Sequence, residues 1–148
     1  MADSTMIVLV FDDEKGADLL FDEFEETLKA EAFPLDDAAV VIYKQTGEMS
    51  VKQWAHPLSE NGFTLALWTF VIHTLLSGWE DHIDDWPIEK FKQVFRSGTS
   101  AFFCLIEPSV SKDVLFQFRQ FRGTLIYAGF TEEQKVQLKV AASKGESV

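Results

Sequence analysis

Between Trp79 and Trp86 the chain reads WEDHIDDW. Glu80, Asp81, His82, Asp84 and Asp85 make this the densest set of candidate metal ligands in the sequence. Hard cations take several oxygens, and one imidazole suits a transition ion. The spacing fits no EF-hand loop, and a catalytic zinc ordinarily has more nitrogen or sulfur ligands. The simpler reading is a solvated acidic loop that caps its neighbouring helices. No cofactor is expected, and Asp81, His82 and Asp85 stand only as weak metal candidates.

Other reactive side chains are scattered. His73 lies in an uncharged stretch, where it either hydrogen-bonds within a buried contact or serves a pocket or interface by titrating near neutrality. His56, before Pro57, reads as loop. Cys104 sits in the apolar run SAFFCLI, where burial disfavours the thiolate and no adjacent base is identifiable. Asp12 and Asp13 follow an apolar run and suit a helix cap better than a cation site. No GxGxxG or Walker pattern is present to cradle phosphate. Phe63, Trp68, Phe70, His73 and Trp79 are the candidate ligand-binding or interface residues, and no catalytic residue is assigned.

These last residues belong to the stretch around which the chain is organised, FTLALWTFVIHTLLSGW, from Phe63 to Trp79. From Phe63 to Leu76 it has no charge, glycine or proline. Its apolar part is shorter than the ~20 residues that span a bilayer. As a helix it is apolar nearly all round, with Thr69, His73 and Ser77 as one narrow polar stripe. Such a helix is buried on most sides. A second subunit is the preferred cover, then another layer of the same chain, then a lipid surface or ligand.

The chain has 148 residues, 24 acidic against 13 basic, and a net charge of −11. That balance argues against binding nucleic-acid phosphates or anionic membranes. A single cysteine excludes an internal disulfide, and the start MADSTM lacks a basic signal region, so a cytoplasmic location is expected.

The elements follow from punctuation and periodicity. Met6–Phe11 is a buried strand, and a helix runs from about Glu14 to Ala32 with Ala17, Leu20, Phe21, Phe24 and Leu28 on one stripe. Ala38–Tyr43 and Val51–Trp54 are strands joined by Gln45-Thr46-Gly47-Glu48, which has hairpin chemistry. After the central helix, Pro87 opens another, ended by Gly98. Ser100–Ile106 is a strand, Val110–Phe121 a helix and Thr124–Tyr127 a strand. Thr131 with Gln134 caps a last helix. The expected architecture is one α+β domain with a ferredoxin-like β-α-β-β…β-α-β sheet. Residues 6–54 form the first half, 58–97 a two-helix insertion, 100–128 the second half and 131–143 the C-terminal helix. Right-handed crossovers would put the first helix and the 110–121 helix on one face.

The runs IVLVFDDEKGAD, DDAAVVIYKQTGEMSVKQ and SGTSAFFCLIE resemble the bacterial family called domain of unknown function 1269, often labelled a predicted membrane protein. The likeness covers nearly the whole chain and rests on alternation patterns. That family's middle is typically a glycine-rich apolar hairpin; here Phe63–Trp79 is bulky, with Gly78 its one glycine, which argues against the membrane label. The resemblance implies no catalytic residues.

The expected function is therefore a non-catalytic, self-associating interaction or regulatory protein, dimeric, with the central helix at the contact. The alternative is a ferredoxin-like dimer that binds or transforms a small apolar ligand in an aromatic cavity. Peripheral membrane contact through the central helix ranks third.

Overall fold

The structure is a computed structural model that describes residues 4–29, 37–53, 68, 69, 71–73, 88–106, 109, 111–119, 121, 123–130, 133, 136, 137 and 140. Five strands form one antiparallel sheet: β1 (Ser4–Phe11), β2 (Asp37–Tyr43), β3 (Met49–Gln53), β4 (Thr99–Ile106) and β5 (Thr124–Phe130). Among the described residues, three continuous helices are formed: α1 (Gly16–Lys29), α2 (Ile88–Val94) and α3 (Ser111–Phe118). Residues 68, 69 and 71–73 of the central stretch are helical, as are 133, 136, 137 and 140.

The strand order is β3-β2-β4-β1-β5. β1 and β2 are both antiparallel to β4, which lies between them, so the β1–α1–β2 connection crosses over one strand. By the same logic β4–α3–β5 crosses over β1. Between these crossovers β2 turns back into β3. Lys44 N–H donates to the Glu48 carbonyl at 2.8 Å and Gly47 N–H to the Lys44 carbonyl at 2.8 Å. Gly47 takes φ +92°, which a side chain rarely tolerates and which a three-residue hairpin loop requires.

Alternation divides every strand between two faces. On the first, Ile7 and Leu9 of β1, Ala38 and Val40 of β2, and Phe102, Cys104 and Ile106 of β4 pack with Ala17, Leu20 and Phe21 of α1 and Phe118 of α3. α1 and α3 thus share a face. On the second, Met6, Val8, Val10, Ala39, Val41, Ala101, Phe103 and Leu105 pack with Trp68, Val71, Ile72, Phe91 and Phe95. The sheet is covered on both sides by its own chain. β4 is buried along its whole length, which explains its unbroken apolar reading.

Phe103 is the hub of the second face. Its ring lies 6.0 Å from Trp68, 6.1 Å from Phe91 and 6.5 Å from Phe95, each edge-to-face, while Phe91 and Phe95 stack at 5.1 Å. Such pairs contribute about 0.5–1.5 kcal/mol each beyond area burial.

Candidate functional site

At one end of the sheet, strand β1 runs out at Phe11 and the chain turns through Asp12–Lys15 into α1. A helix start leaves backbone N–H groups without intrahelical partners. Here Asp13 Oδ1 accepts from Lys15 N–H at 3.1 Å and from Gly16 N–H at 2.7 Å, so Asp13 is the cap. The next N–H, of Ala17, donates to Ser100 Oγ at 3.0 Å, and that hydroxyl donates to the Asp13 carbonyl at 2.8 Å. Ser100 is fully buried, so one hydroxyl locks the α1 entry to the start of β4. Glu14 Oε2 accepts from Gln45 N–H at 3.0 Å and ties the same turn to the hairpin.

Two clefts open on either side of Asp12. One, of about 580 Å³, has Phe11, Leu19, Leu20 and Phe121 as its apolar lining and Asp12, Asp13 and Glu23 as its charged groups. Gly16 also borders it. A Cβ at Gly16 would collide with the Phe11 ring, so the missing side chain lets that ring line the cleft. The other, of about 590 Å³, is mostly polar and includes Gln45, Gln93, Arg96 and Thr99. The Thr99 hydroxyl there accepts from Arg96 N–H at 3.2 Å and donates to the Arg96 carbonyl at 2.7 Å, closing the turn after α2.

A second polar feature is internal. Asp37, at the start of β2, is fully buried. Its Oδ1 accepts from Ala38 N–H at 2.8 Å, and its Oδ2 accepts from the indole Nε1–H of Trp68 at 2.8 Å. Buried polar groups need such partners. The pair fastens the central helical residues to the sheet beneath them.

The candidate residues named from sequence are distributed accordingly. Trp68 is 0% exposed and lies on its own chain's sheet, held by Asp37 and Phe103. His73 is exposed. Phe63, Phe70, Trp79, Asp81, His82 and Asp85 lie outside the described residues. Among the described residues no three His, Cys, Asp or Glu side chains converge on one point. Cys104 is buried, and desolvation drives its thiol pKa far above the ordinary value, outweighing a backbone hydrogen bond at Ile7. It stays a protonated, packed thiol.

Sequence reasoning missed two features. Asp37 carried a signal in retrospect, as an acid placed directly against an apolar strand run. The cleft beside Phe11 had only a partial one, the Asp12-Asp13 pair; the nearness of Phe121 depends on the return of α3 to the same face.

No family model, curated protein or solved structure matches the chain. No helix among the described residues is long and apolar enough to cross a membrane.

Proposed function

We propose that this protein is a non-catalytic, self-associating interaction module on a ferredoxin-like core, and that the outer edge of β5 makes the contact. The ferredoxin-like reading is supported by the two crossovers that each pass over one strand within β2-β4-β1-β5, with β3 taken as an added edge strand. Three of the described polar groups support a structural role, since each is engaged in holding the fold. Asp13 caps α1, Ser100 bridges α1 and β4, and Asp37 secures Trp68.

One observation carries the self-association. β5 pairs with β1 over seven residues, and no described strand lies beyond it. Its sequence, TLIYAGF, has neither charge nor proline. Sheet edges are normally protected from pairing by charges, prolines, bulges or shortness. The opposite edge, β3, is five residues long and carries Lys52. Antiparallel pairing of two β5 strands about a twofold axis would join two five-stranded sheets into one.

This reading moves the contact away from the central helix. Trp68, Val71 and Ile72 are covered by their own sheet, so Trp68→Glu acts on folding before it acts on assembly. The same packing takes support from an aromatic ligand cavity at Trp68, because Phe103 and Asp37 fill the space against the indole.

The test is sedimentation of the wild type beside two variants at Gly129. A Cβ there meets nothing within 4 Å, and no positive φ is involved, so both side chains fit. Gly129→Lys puts a charged side chain on the edge strand, the kind of residue that keeps sheet edges from pairing, and should yield a folded monomer, whereas Gly129→Ala should remain dimeric. A wild type that sediments as a monomer at high micromolar concentration would refute the reading.

A further inference from the structure

We propose that the cleft between the start of α1 and the residue Phe121 beyond α3 binds small organic ammonium ions that carry an apolar body. This site lies away from the β5 edge and does not depend on self-association. Its volume, about 580 Å³, is that of an ordinary small-molecule pocket. The apolar part is made by Phe11, Leu19, Leu20 and Phe121, and Leu20 is 2% exposed, so the inner wall belongs to the core. Leu19 is 65% exposed, a large apolar side chain held in water at the lining. Removing it from solvent is favourable for any apolar occupant.

Charge selects the occupant. Among the described residues, the charged side chains that line the cleft are all acidic, and the chain as a whole carries −11. The positive end of the α1 dipole also points here, but the Asp13 carboxylate already answers it through two backbone hydrogen bonds. Asp12 and Glu23, both exposed, remain as the groups that meet a cation. The rings of Phe11 and Phe121 add to the preference, since aromatic faces attract ammonium groups. An anion would face these carboxylates, and a neutral apolar molecule would gain nothing from them. The complement is a primary or quaternary amine attached to an aryl or alkyl group.

Amide shift titrations with three isosteric probes decide the matter: 4-phenylbutylammonium, 4-phenylbutanol and 4-phenylbutyrate. The ammonium probe should saturate and shift the amides of Gly16, Leu19, Leu20 and Phe121. The alcohol should bind about tenfold more weakly, and the carboxylate more weakly still. Raising salt from about 20 mM to about 300 mM should erode the preference for the ammonium. Asp12→Asn and Glu23→Gln should each lower its affinity by about threefold to fivefold. Leu19→Lys, at an exposed position that leaves the core intact, should abolish ammonium binding. Equal affinity for alcohol and ammonium would overturn the proposal, as would shifts centred elsewhere or no saturation by about 10 mM probe.

Discussion

The two faces of the sheet use the same strands and end up differently closed. The face under Trp68 is shut by a few large rings, with Phe91, Phe95, Phe103 and Trp68 all buried and in mutual contact. The face under α1 and α3 is covered by regular amphipathic helices, and it keeps a cleft where Phe11 and Phe121 meet beyond the helix ends. Interdigitating aromatics leave little free volume, because each ring fills the gap its neighbour leaves. Straight helices laid on a twisted sheet leave a gap at their ends. Both kinds of cover leave open space at the Asp12 end of the sheet, an apolar and acidic cleft beside α1 and a mostly polar one beside the turn after α2.

That contrast can be broken most severely at Trp68. Replacing Trp68 by Ala removes the largest buried side chain among the described residues and strips the Asp37 carboxylate of its indole donor; the expected loss is about 4–6 kcal/mol by urea unfolding. Trp68→Phe keeps one ring but loses the N–H together with part of the indole volume, so its loss should fall below that of the alanine variant.

The adjacent pair Phe102 and Phe103 samples one face each at the same point of β4. Phe103 meets Trp68, Phe91 and Phe95, whereas Phe102 meets Phe21 and Phe118. Both alanine variants should cost about 3–5 kcal/mol, with Phe103→Ala the costlier in parallel denaturation curves. Equal losses would show that the helical face is as tightly filled as the aromatic one.

A smaller change adds matter beside the cleft. Gly16→Ala forces the Phe11 ring to move and should destabilise by about 1–3 kcal/mol while altering the Phe11 and Phe121 ring resonances. At the exposed margin of the helical face, Lys52 pairs with Asp18 at 3.1 Å and lies 4.9 Å from the Phe21 ring centroid. Lys52→Ala should cost at most about 1 kcal/mol, and less at high salt, in thermal melts.

Much of this fold could be read along the chain. MIVLVF and SAFFCLI announce buried strands because both of their faces are covered, and Gln45-Thr46-Gly47 marks a hairpin because one position needs a positive φ. Ala17, Leu20 and Phe21 fall on one side of α1 at helical spacing, and they are the residues that pack. His73, expected from sequence in a buried contact, a pocket or an interface, is instead exposed, while Trp68, Val71 and Ile72 are buried. What covers that helix was not legible. Periodicity says that a side is apolar, but its partner is set by where distant strands lie.

The candidate site was less legible still, for the same reason. Asp13 as a cap is a local matter, settled within three residues of sequence. The cleft joins Phe11 to Phe121, and the internal polar pair joins Asp37 to Trp68, each across a crossover or an insertion. Sequence alone determined the strands, the dry side of α1 and the acidic balance, because these follow from backbone preference and solvation of neighbouring residues. Tertiary structure alone decided the strand order, the owner of the surface over Trp68 and the location of open volume, because those depend on contacts between residues far apart in the chain.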